Sequence, residues 1–301
     1  LNGQHVLYTN TGQLKPGWRI VVFSILTILS LLVSAMLVGP LLAGFFGLFG
    51  LHVSNESWVF AVAFLAGTAL TLHVEKRPWS DVWLGADAAR PSLVVKGFAL
   101  GAACIGVPIV LLIAARWLGL ETGRGGSWWG GAVRITLVLL PAALLEELMT
   151  RGYVLSVLKD WWGWKWAILS TSAAFGLLHW RNAGATPASL ALVTLAGFFL
   201  VAVLYVTKSL YAAWMAHFAW NWVMAVVFHT AVSGTPFEAP DYRYFDAGPD
   251  WATGGGWGPE GGIPAAIGMI AGLVFLFRRR DNPPQQLDSN FTPQTTNAEN
   301  A

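Results

Sequence analysis

Charged side chains are scarce in this sequence. Asp, Glu, Lys and Arg make up 11% of its 301 residues, against about a quarter in an average soluble domain. So little charge leaves too little polar surface to coat a globule in water, which excludes a soluble enzyme and a disordered scaffold. A formal charge of +2 lacks the basic excess that a nucleic-acid partner requires. There is one cysteine, Cys104, inside an apolar run, so neither a disulfide framework nor a cysteine metal site is available. Internal repeats and heptads are missing too, and no GxxxG stretch stands out as an oligomerisation face, so the sequence leaves the oligomeric state open.

What is abundant is apolar length. Hydrophobic residues make up 55% of the chain, with 17 Trp and a mean hydropathy of +0.56. A helix needs roughly 20 apolar residues to cross a bilayer, with about 17–25 tolerated. Eight such stretches are predicted, at 20–42, 57–74, 93–115, 132–152, 164–180, 188–206, 209–229 and 263–277. The expected class is therefore an all-α, multi-pass membrane protein. Residues 1–19 form a polar N-terminal segment, 20–280 the membrane domain, and 281–301 a polar, disordered tail. The first apolar run is too long for a signal-peptide core, so no cleavable leader is expected, although the chain begins with Leu rather than Met.

Positive charge sets the expected orientation. With the N-terminus inside and eight crossings, 13 of the 18 Lys and Arg residues fall inside and 5 outside. Both termini are then cytoplasmic, in a membrane of the prokaryotic plasma-membrane type. The longest connection, 230–262, falls outside. Gly254, Gly255 and Gly256 make part of it flexible, and Tyr242, Tyr244, Phe245, Trp251 and Trp257 are placed to meet the interface. Trp161, Trp162, Trp164 and Trp166 resemble an aromatic belt at the other surface.

Polar groups at membrane depth carry the functional information. Of the 16 acids, only Glu146 and Glu147 lie inside an apolar helix, where a carboxylate costs roughly 2.5–3.5 kcal/mol even on insertion scales. Glu147 stands four residues before Arg151, the favourable order for an intrahelical ion pair. Glu146 diverges from it by about 100° around the axis and must find a proton, a metal or a histidine elsewhere, so it is the better candidate for chemistry. Phe175 and His179 share one helical face, as do His217 and Asn221. His5, His52, His73 and His229 are expected to meet water.

Two carboxylates, an arginine, two imidazoles and an amide on three helices are the parts for hydrolysing an acyl bond. A carboxylate beside an imidazole takes a proton from water and returns it to a leaving amine, while a second imidazole and an amide N–H hold the developing oxyanion. No serine or cysteine nucleophile accompanies them and G-x-S-x-G is absent. The attacking group should therefore be water. Glu146, His179 and His217 are also a possible zinc ligand set with an open fourth position, although H-E-x-x-H is absent.

The run Glu146-Glu147-Leu148-Met149-Thr150-Arg151-Gly152 matches EExxxRG, Phe175 to His179 matches FxxxH, and His217 to Asn221 matches HxxxN. In this order the three resemble the CPBP family of intramembrane endopeptidases, which includes the type II CAAX prenyl proteases and the abortive-infection, bacteriocin-immunity-like proteins. Each motif alone is weak; the ordered triple is fairly specific, and the resemblance covers residues 90–230. It implies a helical membrane fold with an intramembrane cavity, in which Glu146 and His179 activate water, His217 and Asn221 stabilise the oxyanion, and Glu147, Arg151 and Phe175 support them. It also implies a metal-free, glutamate-dependent mechanism without a cofactor as the favoured form, with zinc on Glu146, His179 and His217 as the alternative. The partners implied are membrane lipids and a membrane-associated or lipidated peptide.

Two departures follow from the same reading. Thr150 stands where family members often carry an aromatic. The span limits also place Glu146 near the inner end of its helix and His179 near the outer end of the next, roughly 10 Å or more apart along the normal. The pairing therefore requires a span that starts after the Trp161–Trp166 stretch, or a helix that is broken and tilted. A non-catalytic immunity or chaperone-like protein and a proton-coupled transporter remain as alternative functions at this point.

Overall fold

The computed structural model describes residues 7–9, 14–123, 125–237 and 242–281. The described residues are 76% helical. Eight helices exceed one turn among the described residues: α1 Pro16–Leu48, α2 Glu56–Glu75, α3 Pro91–Ala114, α4 Trp128–Arg151, α5 Tyr153–Leu178, α6 Pro187–Thr207, α7 Leu210–Trp222 and α8 Ile263–Asp281. Local chemistry sets their starts. Pro16, Pro91 and Pro187 occupy the first turns of α1, α3 and α6, where the missing N–H is no loss. The side chains of Ser127, Thr186 and Ser209 cap α4, α6 and α7 by accepting from Gly130, Ser189 and Ala212 N–H groups.

Four helices, α1, α2, α3 and α6, are long and apolar enough to cross a membrane, and α8 is a shorter apolar helix. The remaining three carry the motifs, and the polar residues, a break in α5 and the short length of α7 set them apart. On α1, Ile28, Leu32 and Met36 are 58%, 59% and 76% exposed, an apolar face of the kind that marks a lipid contact. At one end of the molecule Arg19 grips Glu75 through Nε and Nη2 at 2.9 and 3.1 Å. Tyr153 donates to the same carboxylate at 2.5 Å, and Arg77 reaches Asp160 at 3.1 Å. This network ties α1 and α2 to the start of α5. Asp160, expected in a connection, lies on a helix.

Helix α7 is central, packed against α3, α4 and α6. Its Ala212, Ala213, Ala216 and Ala219 are fully buried. Gly97 and Gly101 of α3 face the carbonyls of Ala212 and Ala216 so closely that a Cβ at either would collide with them. Gly97-Phe98-Ala99-Leu100-Gly101 is thus a GxxxG stretch that the sequence reading passed over, and it joins two helices of the same chain.

The expected depth mismatch is resolved by a break. Gly163 inside α5 has φ 77° and ψ 168°, a conformation essentially restricted to glycine. It divides α5 into a first arm, 153–162, held in the Arg19–Glu75 network, and a second arm, 164–178, that carries Phe175 and ends at His179. Trp161, Trp162 and Trp166 are 49%, 45% and 54% exposed beside the break, as expected of a belt. Trp164 instead turns inward to pack on Trp83 and Tyr205. Nothing lies near a Cβ at Gly163, so Gly163→Ala isolates the backbone effect. The expected loss is about 1–3 kcal/mol, read as a lower midpoint of thermal unfolding in detergent. An unchanged midpoint would show that the break is not enforced by the backbone.

Three further expectations need correction. A two-stranded antiparallel ribbon pairs β1, Leu118–Thr122, with β2, Tyr242–Asp246, an addition to the all-α reading. His229, expected at the water surface, is 5% exposed and stacks on Tyr242 at 3.7 Å, with its Nδ1 2.7 Å from the Tyr242 carbonyl. The 230–262 connection is more built than a flexible loop: its glycine run forms successive tight turns, and Trp257 is 2% exposed. Glu238 and Asp241 of that connection, Arg124, residues 1–6 and 10–13 of the N-terminal segment, and the tail from 282 lie outside the described residues.

Candidate active site

Four elements bring the motif residues together. Glu146 and Glu147 sit on the last turns of α4, Phe175 near the end of α5, His179 on the turn that follows it, and His217 and Asn221 on α7. Oε2 of Glu146 lies 3.8 Å from Nε2 of His179 and 3.7 Å from Nε2 of His217. That oxygen is buried and makes no hydrogen bond to another described residue, while the side chain as a whole is 31% exposed. The expected divergence of the two glutamates holds: one faces both imidazoles across a gap, the other is engaged.

Glu147 is fully buried, as is Arg151. Its Oε1 accepts from Arg151 Nη1 at 2.8 Å, the intrahelical pair expected from the spacing, and lies 2.9 Å from His217 Nδ1. The second contact was not anticipated, because it joins residues 70 positions apart. Arg151 also donates to the Gly197 carbonyl at 3.3 Å and lies over the Phe175 ring at 4.1 Å. Phe175 is 5.0 Å from the His179 ring and 5.7 Å from the His217 ring. It thus contacts both imidazoles and the guanidinium.

Hydrogen bonding assigns the tautomers. His179 Nδ1 is 2.8 Å from the Phe175 carbonyl and His217 Nδ1 faces a carboxylate, both of which only accept. Each imidazole therefore donates from Nδ1 and turns Nε2 towards Glu146. With neutral rings, three lone-pair groups converge, so the site is built to hold something that donates: a proton, a water, or a cation. Zinc ligands at about 2.0–2.1 Å from a tetrahedral ion stand about 3.4 Å from one another, closer than the 3.7 and 3.8 Å found here. Among the described residues no group of three His, Cys, Asp or Glu side chains is placed to hold a metal ion. The alternative zinc set thus has suitable donors, spaced a few tenths of an ångström wider than a bound tetrahedral ion would hold them.

His179, His217, Asn221 and Phe175 line one cavity, and Glu146 is not among its lining residues. Asn221 makes no side-chain hydrogen bond with another described residue, and its amide is available to the cavity. Thr150, the departure from the expected pattern, is 5% exposed and donates to the Glu146 carbonyl at 2.6 Å. It braces the backbone of the glutamate instead of walling the cavity. Ser233 and Glu260 of the 230–262 connection also line the cavity. The sequence offered no signal for either.

Residues 127–223 match the family model of the type II CAAX prenyl endopeptidase, Rce1-like. This segment is similar to the Rce1-like family. It spans about a third of the chain and contains all seven motif residues, from Glu146 to Asn221. Comparison with curated proteins and with solved structures gave no match. The likeness of this segment is to a family of endopeptidases, and four helices of the chain are long and apolar enough to cross a membrane.

Proposed function

We propose that the chain is an intramembrane endopeptidase that cuts a peptide bond in a membrane-associated or lipidated substrate with a water activated by Glu146. The convergence of Glu146 Oε2 on both Nε2 atoms carries this reading. Glu146 takes the proton of the attacking water and His179, neutral with a free Nε2, passes it to the leaving amine. In this reading His217, between two carboxylates, acts as an imidazolium: its Nδ1–H donates to Glu147, and its Nε2–H, together with the Asn221 amide, donates to the oxyanion. Glu147 holds the ring in that orientation and supports its charge. No step uses a metal. Given eight crossings, the surplus of Lys and Arg on one set of connections supports cytoplasmic termini, and we take residues 20–280 as a single domain in a membrane of the prokaryotic plasma-membrane type.

The test is cleavage of lipidated peptides by the purified protein in liposomes. Cleavage that disappears in Glu146→Gln supports the reading, and cleavage that survives it, or no cleavage of any lipidated or membrane-anchored peptide, overturns it. Metal independence is tested separately. Activity is expected to be unchanged by 1,10-phenanthroline, and a loss restored by added zinc would assign Glu146, His179 and His217 to the ion instead.

A further inference from the structure

Glu260 is a buried carboxylate that the chemistry above does not use. It is 8% exposed, lies outside the Rce1-like segment, and pairs with no cation among the described residues. Its charge is met by neutral donors. Oε2 accepts from the Trp220 indole at 2.9 Å, and Oε1 from the Ser233 backbone N–H at 2.7 Å and hydroxyl at 2.6 Å. Ser233 is held from the other side, where Asn182 donates to its carbonyl at 3.0 Å.

Both ends of this chain of contacts reach the catalytic imidazoles. Trp220 precedes Asn221 on α7, three residues after His217. Asn182 follows His179 by three and closes its turn by donating from its backbone to the His179 carbonyl at 3.0 Å. His179 lies past the last helical residue of α5, so no further helical turn fixes it. Ser233 and Glu260 themselves border the cavity beside both imidazoles.

We infer that Glu260 is a positioning residue for the proposed hydrolysis, the centre of a strap Trp220–Glu260–Ser233–Asn182 that sets the His179 turn against the His217–Asn221 helix. The inference rests on the protease reading of the site. A carboxylate suits the post because it has two acceptor oxygens, one for each arm, whereas an amide has one. Glu260→Gln therefore keeps the volume but must break the strap at Trp220 or at Ser233, and a strap broken at either point holds neither arm against the other. Trp220→Phe releases the same link from the other side.

The experiment compares Glu260→Gln, Trp220→Phe and the double variant with wild type in liposomes, normalised to folded protein. It also follows hydrogen exchange of peptides covering 176–186 and 217–228. Each single variant is expected to lower kcat about tenfold with KM unchanged, because misplacement of catalytic groups by a fraction of an ångström acts on the transition state. The double variant should be no slower than the slower single, and exchange should rise in both peptides of Glu260→Gln. An unchanged kcat, a multiplied loss in the double variant, or exchange that rises around His217 alone overturns the inference. If wild type itself cleaves nothing, the protease reading falls, and the exchange of the two peptides still decides whether the strap holds both arms.

Discussion

Glu146→Gln is expected to lower kcat by about 10²–10⁴-fold, the range for loss of a positioned general base, while KM and the unfolding midpoint stay near wild type. The contrast with its neighbour explains why the loss is catalytic. Glu147 is enclosed and committed to Arg151 and His217. Glu146 keeps one oxygen facing both imidazoles without a hydrogen bond to another described residue, and the rest of its side chain is partly exposed. An amide of the same shape disturbs little packing but has no basic oxygen with which to take a proton from water. Asn221→Ala makes a second, smaller measurement on the same proposed reaction. Loss of one oxyanion donor is worth about 10²–10³ in kcat, again without a matching change in KM. A Glu146→Gln enzyme within tenfold of wild type would remove the general base from the mechanism.

The residues that betrayed the site in the sequence are those whose cost in a membrane is visible without a fold. Two adjacent carboxylates in an apolar helix, and two histidines each paired with a helical neighbour, need no tertiary information to stand out. Apolar length located four helices for the same reason: the limits of α2, α3 and α6 lie within two residues of those expected, while α1 extends four and six residues beyond its expected ends. What stayed hidden depends on partners far along the chain. Periodicity places Glu147 next to Arg151 but says nothing of His217, which α7 brings to it. Gly163 reads as an ordinary glycine within a tryptophan-rich stretch until its positive φ reveals the break that lets His179 meet Glu146. Glu260 looks like one more acid in a Gly/Pro-rich connection. Its burial exists only because the connection folds back over α7, and His229 is buried by Tyr242 of the same connection.

Arg151→Met is expected to cause the largest loss of stability in the molecule, about 3–5 kcal/mol, because it leaves the Glu147 charge buried without its cation. Both side chains are fully enclosed, so solvent offers no relief. The guanidinium also loses its place over Phe175 and its bond to Gly197. Arg151→Lys should fall between Met and wild type: it keeps the charge but has neither the planar fork nor the stacking face. Adding Glu147→Gln to Arg151→Met removes the stranded charge, so the double variant should unfold at a higher temperature than Arg151→Met alone. Activity should not follow. Without a carboxylate on Nδ1, His217 loses the partner that orients its ring and supports its charge at the oxyanion, and the double variant should remain inactive. Midpoints of thermal unfolding in detergent and initial rates in liposomes, measured on the same preparations, separate the two effects. Recovery of both together would mean that Glu147 acts on catalysis only by holding the helices in place.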